Sequence, residues 1–151
     1  MIIDKRTELC SATALSTAAT GLATIGSLID LQVARNIAAG RPIYIVIQIN
    51  VQPTSGGAAT LGFVLASDAQ DPIAVDGTAT EHFRTQLIPK ATLVVGYSFT
   101  LPLPLENPAY EQYLGILQNV GVAALTAGKV NVFLTLTPFA WKANKSETGG
   151  Y

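Results

Sequence analysis

The sequence predicts an all-β protein, built as a β-sandwich or a β-barrel. Its clearest segments are short runs in which apolar and polar residues alternate, the period of a half-buried strand. Turn-forming residues separate these runs, and no window long enough for a helix carries a capped apolar stripe. Strand and helix patterns do not alternate along the chain, which excludes a parallel α/β sheet. With 151 residues, the chain has the size of one domain.

We expect that domain to have three parts. Residues 1–25 are rich in Ala, Ser and Thr and are predicted to form a flexible N-terminal arm with a short strand or turn. Residues 26–140 are predicted to form the β-sandwich core. Residues 141–151 are polar and Gly-rich, and are predicted to form a flexible tail.

The run from Ile43 to Val51 is the strongest strand signal, because its isoleucines share one face and polar residues gather at the end of the other. Residues 53–57 then form a loop that contains Pro, Ser and two Gly, before a strand from Thr60 to Ala66. The other predicted strands are Ser27 to Leu31, Thr85 to Ile88, Thr92 to Val95, Tyr97 to Leu101, Gln112 to Val120 and Lys129 to Thr137.

The later part of the chain has two distinctive connections. Alternating prolines in residues 101–105 favour an extended crossover that cannot extend a sheet edge. Small residues at 121–128 are predicted to join the last two strands as a hairpin. In the last strand, the residues expected to point inward are Val130, Val132, Leu134 and Leu136.

Composition excludes several classes of function. Charged residues make up 13% of the chain and the net charge is −1, so the sequence has no basic surface for nucleic acid or for an anionic membrane. The uncharged stretches are too rich in Ser, Thr, Gly and Pro for a transmembrane helix. One cysteine, Cys10, and one histidine, His82, cannot supply a disulfide or a multi-histidine metal site. We therefore expect no cofactor and no metal, and a surface this poor in charge to be covered in use.

Candidate catalytic groups are few. The acidic residues between Asp68 and Glu81 lack the alternating ligand spacing of a calcium loop and are expected to lie in a solvated loop. His82 has no nucleophile motif such as G-x-S-x-G in the chain, so an ordinary hydrogen bond is its expected role. The sequence thus predicts a protein that is not an enzyme.

Several short motifs, in their order along the chain, resemble one known family. The chain is similar to the capsid cement (decoration) proteins of tailed bacteriophages, of the type first described in a Bordetella podovirus. The resemblance covers about residues 1–140. The motifs are Met1-Ile2-Ile3-Asp4-Lys5, Leu28-Ile29-Asp30-Leu31, Gly40-Arg41-Pro42-Ile43-Tyr44-Ile45-Val46, Leu101-Pro102-Leu103-Pro104, Tyr113-Leu114-Gly115-Ile116 and Thr126-Ala127-Gly128-Lys129-Val130.

This resemblance implies a jelly-roll β-sandwich and a structural role in the virion. It implies a protein made in the host cytoplasm that binds the outer surface of an HK97-type capsid. There it would stabilise the shell by bridging major capsid protein subunits. It also implies a symmetric homo-oligomer, with a dimer favoured over a trimer.

Of two other functions, the sequence leaves one open and argues against the second. A carbohydrate- or receptor-binding jelly-roll module of a virion is the main alternative, although aromatic residues make up only 7% of the chain. A cupin-like enzyme would need a metal-binding cluster of histidines, which one histidine cannot supply, so this function is rejected. Two of the candidate contact segments pair charge with an aromatic residue, a composition common at interfaces. The residues predicted to contact a partner are Ile2, Ile3, Lys5, Arg6, Phe83, Arg84, Tyr110 and Tyr113.

Overall fold

The computed structural model describes residues 4–38, 40–105 and 109–138, which form two packed antiparallel sheets. A short 3₁₀ turn, Lys5–Thr7, precedes the strands. The strands are β1 (Glu8–Ala14), β2 (Gly21–Asp30), β3 (Tyr44–Thr54), β4 (Thr60–Asp68), β5 (Thr80–Arg84), β6 (Ile88–Pro89), β7 (Ser98–Pro102), β8 (Tyr113–Gly121) and β9 (Ala127–Thr135).

The order of the strands is that of a jelly roll. One sheet has the order β1-β9-β3-β7, and the other has the order β2-β8-β4-β5, with β6 also paired to β4. Strands β5 and β6 therefore act as one interrupted strand beside β4. Apart from the connection between β4 and β5, which stays within one sheet, every other connection takes the chain from one sheet to the other. Two packed sheets whose strands are connected in this order, as two Greek keys, define the jelly-roll sandwich. The predicted fold class is confirmed.

The main core lies between the sheets, where the inward faces of the long strands meet. Ile45, Ile47 and Ile49 of β3 are fully buried there, as the alternation in the sequence predicted. They face the inward residues of β4, of which Phe63 also makes an edge-to-face contact with Phe99 at 5.9 Å between ring centroids. Burial of each such side chain contributes about 1.5–3 kcal/mol to stability.

A second, smaller cluster covers the outer face of the β2–β8–β4–β5 sheet. Val64, Ala66 and Leu117 form its floor, and Ile73 from the loop of residues 69–79 packs on them. The carboxylate of Asp68 holds this loop by accepting a hydrogen bond from the amide of Ala74 at 2.9 Å. The acidic loop is therefore more than a solvated connection, because it buries an isoleucine on the sheet.

The predicted N-terminal arm is wrong for most of its length. Residues 8–14 form β1 at the edge of one sheet, and β2 begins at residue 21 at the edge of the other. Leu9 and Cys10 belong to the main core. Small residues let the two edges approach each other, and Gly26 comes closest, against the carbonyl of Leu9 and the Sγ of Cys10. Residues 1–3 and 141–151 of the predicted arms lie outside the described residues.

Three other local predictions need correction. Residues 92–95 form turns, closed by hydrogen bonds from the amide of Thr92 to Pro89 and from the amide of Tyr97 to Val94. The connection after β8 is a crossover between sheets, because β8 and β9 belong to different sheets. The last strand ends at Thr135, and Leu136 is exposed beyond it.

Candidate interaction surfaces

The structure places the predicted contact residues at separate parts of the sandwich. Lys5 and Arg6 lie in the 3₁₀ turn beside the β1 and β2 edges. Phe83 and Arg84 lie on β5, at the opposite edge of the β2–β8–β4–β5 sheet. Arg84 is paired with Glu81, whereas Phe83 packs against the main core. These residues therefore do not form one surface, and Ile2 and Ile3 fall outside the described residues.

Tyr110 is buried, and its contacts in the described residues lie within the protein. It is 2% exposed, its ring stacks on His82 with centroids 4.1 Å apart, and its hydroxyl donates a hydrogen bond to the carbonyl of Pro104. Burial raises the pKa of this tyrosine to about 12. Tyr113 is half-buried and pairs with Asp30 and Asp68 in register at the start of β8. The crossover before β8 is thus pinned inward, which the sequence pattern did not reveal.

A groove of about 570 Å³ runs between the two edge strands β1 and β2. Lys5 and Arg6 line it at one end together with Glu8 and Asp30, and hydroxyl groups of Ser and Thr follow along both strands. The groove is therefore lined by two basic and two acidic side chains. The edge strands that flank it are interrupted by bulges. Bulges of this kind discourage the addition of another strand.

A serine, a histidine and a glutamate meet beneath the crossover that contains Tyr110. Ser67 Oγ lies 2.7 Å from His82 Nε2 and accepts a hydrogen bond from the amide of Glu111 at 3.0 Å. The carboxylate of Glu111 in turn accepts a hydrogen bond from Thr80. His82 lies in β5 and forms an ordinary hydrogen bond, as the sequence predicted.

This cluster combines the residue types of a hydrolase triad, but its contacts are those of a structural network. Ser67 is 0% exposed, so its hydroxyl has no open path to a substrate. Together with Thr80, the serine, histidine and glutamate instead connect β4, β5 and the chain before β8. In the described part of the chain, no group of three His, Cys, Asp or Glu side chains is placed to hold a metal ion.

We expect the stability of the fold to decrease in mild acid because of His82. Burial lowers the pKa of His82, and the nearby Glu111 opposes this shift only in part. The unfolded chain then binds more protons than the folded chain, so the stability from neutral His82 is complete above about pH 6.5 and declines as the pH falls below it. We expect the unfolding free energy of wild type to exceed that of His82→Gln at pH 7.5, and the gap to narrow at pH 5.

Urea unfolding of both proteins at the two pH values measures this gap. Comparison with the variant removes the contribution of carboxylates, which titrate in both proteins. A gap of constant size would show that His82 does not titrate between folded and unfolded states in this range.

The two ends of the sandwich differ sharply in charge. One end, here called the acid-free end, consists of residues 15–20, 55–59, 90–97 and 122–126. These four loops contain no Asp or Glu, and Lys90 is their one charged residue. The opposite end, here called the charged end, consists of the described parts of residues 4–7, 31–43, 69–79 and 103–112. It carries Asp, Glu, Lys and Arg side chains.

Hydrogen bonds join the loops of the acid-free end into one surface. Lys90 donates to the carbonyl of Ser55, whose hydroxyl donates to the carbonyl of Ala124 at 2.6 Å. Beneath the first of the four loops, the buried side chain of Gln118 bonds both the amide and the carbonyl of Ser16, at 2.7 and 2.9 Å. Every loop of this end is therefore tied to the sandwich or to a neighbouring loop.

Three valines project from the acid-free end. Val94, Val95 and Val122 are 48%, 65% and 77% exposed. The backbone of Val122 has a φ of +70°, a left-handed conformation that costs a residue with a β-carbon about 1–2 kcal/mol. The fold thus holds a strained apolar residue at the tip of the β8–β9 connection, and local strain of this kind concentrates at functional positions.

Comparison with known proteins identifies the family. Among the described residues, no helix is long and apolar enough to cross a membrane. No curated protein matches the chain significantly. The model of the Bbp16 family matches residues 9–134, which span all nine strands except the ends of β1 and β9. Because this match covers most of the chain, the protein belongs to the Bbp16 family, whose namesake is a Bordetella phage protein.

Proposed function

We propose that this protein is a structural virion protein that binds the outer surface of an HK97-type phage capsid and stabilises the shell. It would do so by bridging subunits of the major capsid protein. The observation that carries the proposal is the family match to a phage protein, which extends over the whole sandwich from residue 9 to residue 134.

The physical character of the chain supports a binding role of this kind. Its Ser67–His82 cluster is occupied by structural contacts, and the hydroxyl-bearing Ser67 is fully buried. Its exposed surface includes nine large aliphatic side chains on a chain with few charges. A protein that repeats one modest contact over a regular shell gains avidity from multivalency and needs no deep ligand pocket.

Bridging requires more than one contact surface for each assembly. We therefore include in the proposal a symmetric homodimer, which would present the same surface to two shell subunits. A trimer would serve the same purpose with three surfaces. Sedimentation equilibrium of the purified protein, from micromolar concentrations downward, distinguishes these states from a monomer.

Quantitative mass spectrometry of purified virions tests the proposal. We expect the molar ratio of this chain to the shell protein to be near one or near a simple fraction. A few copies in each particle would favour the carbohydrate- or receptor-binding role, and a glycan array would then be the next measurement. Absence of the chain from virions would overturn the proposed function.

A further inference from the structure

The distribution of charge, rather than of apolar residues, distinguishes the two ends of the sandwich. Exposed valines occur at both ends, since Val33 and Val75 of the charged end are 57% and 47% exposed. Those two valines lie in loops that also carry Arg35 and Asp76. The valines of the acid-free end have no carboxylate in any of their loops. Centres of protein interfaces are depleted in charge, and contiguous apolar surfaces mark interaction sites.

We propose that the acid-free end is the surface that docks on the capsid shell. This inference rests on the proposed function and specifies how the molecule would be oriented. The valines would meet an apolar area of the shell protein, and the charged end would point away from the shell. Lys129 lies at the rim, exposed and in register with the half-exposed Val51.

Charge also favours a shell surface over a second copy as the occupant of this end. Two copies packed through their acid-free ends would bring their Lys90 and Lys129 side chains toward one another, with no acidic residue in the four loops to offset them. Like charges at a shared interface are unfavourable. The shell protein is a different molecule and need not place a lysine opposite these two, so docking on the shell avoids the repulsion that self-association would create.

The hydrogen bonds among the loops prepare this end for binding. Lys90, Ser55 and Ala124 connect three of the loops, and Gln118 fixes the fourth. A surface whose loops are already ordered loses little conformational entropy when it binds. The exposed Val122 lies in a tight turn, which a hydrogen bond from the amide of Ala123 to the carbonyl of Gly121 closes at 2.8 Å.

Two double variants test the docking surface against a matched surface of the same composition. Val95→Asp with Val122→Asp places two carboxylates on the acid-free end, and Val33→Asp with Val75→Asp places two on the charged end. All four valines are well exposed, so both proteins should fold, which circular dichroism and the melting temperature will verify. Binding is measured by co-sedimentation with capsid shells that lack this protein, alongside wild type.

We expect at least a tenfold loss of affinity for the Val95/Val122 variant and a change of less than twofold for the Val33/Val75 variant. Equal binding by all three proteins would overturn the docking surface but leave the proposed function intact. The docking surface would also be overturned if the Val95/Val122 variant lost self-association while it still bound shells. If wild type itself did not bind shells, the proposed function would fail together with the inference.

Val122→Gly separates docking from backbone strain. Glycine accepts a positive φ without penalty, so this variant should melt a few degrees higher than wild type. It also removes the most exposed valine of the docking end, and we expect its affinity for shells to fall threefold or more. A more stable protein with unchanged affinity would show that Val122 does not contact the shell.

Discussion

Gly26→Ala is expected to lower the free energy of unfolding by about 3 kcal/mol or more, because two penalties combine at this position. The backbone of Gly26 has a φ of +72°, which alanine adopts only with strain. A β-carbon there would also overlap the backbone carbonyl of Leu9 and the Sγ of Cys10. Both neighbours are buried in the main core, so relief requires that the β1 and β2 edges separate. Urea denaturation gives the change directly.

Gly56→Ala is the matched control for this substitution. No atom lies within 4 Å of a β-carbon at Gly56, and its φ is not in the left-handed region. Its stability should stay within about 0.5 kcal/mol of wild type. The thiol of Cys10 provides a second readout, since burial raises its pKa to about 11 and should protect it from alkylation in wild type. If Gly26→Ala were as stable as Gly56→Ala, the two edges would not be in close contact.

The position of each strand within its sheet explains why the sequence predicted the central strands better than the first two. β3, β4, β8 and β9 are flanked on both sides by other strands, so their alternation or continuous burial is strong and easily read. β1 and β2 lie at sheet edges, where many side chains face water. Their bulges also break the period of two on which a strand prediction depends.

Contacts between distant parts of the chain account for most of what the sequence missed in the candidate sites. Ser67, His82 and Glu111 belong to different strands and loops, and no spacing in the sequence links them. The turns at residues 92–95 have strand-like composition, but Leu93 is buried as part of a loop that closes on β3 and β4. Tertiary context overrides local propensity in such segments.

The acid-free end is an intermediate case. The lack of charge in residues 9–29 and 42–67 is visible in the sequence. Taken alone, it raises only the question of a membrane segment. That these stretches meet residues 90–97 and 122–126 at one end of the sandwich follows from the jelly-roll topology. The absence of charge can be read from the sequence, but the surface that these loops form together cannot.

Tyr110→Ala should destabilise the protein by about 3–5 kcal/mol, the usual range for removing a large buried aromatic side chain. Tyr110 stacks on His82, and its hydroxyl bonds Pro104 at 2.9 Å. Its carbonyl accepts a hydrogen bond from the amide of Arg35, which ties the β2–β3 connection to the same point. Loss of the ring would therefore loosen the charged end and the network around Ser67 together. Thermal and urea unfolding measure the loss.

Tyr110→Phe distinguishes packing from hydrogen bonding, because it retains the ring and removes only the bond to Pro104. A loss of about 1 kcal/mol is expected for this variant, close to the net contribution of one hydrogen bond. Shell binding by Tyr110→Phe should match that of wild type, since the hydroxyl faces inward and the charged end points away from the proposed docking surface. If Tyr110→Ala kept full stability yet lost shell binding, Tyr110 would be the partner contact that the sequence predicted, and the docking surface would have to include the charged end.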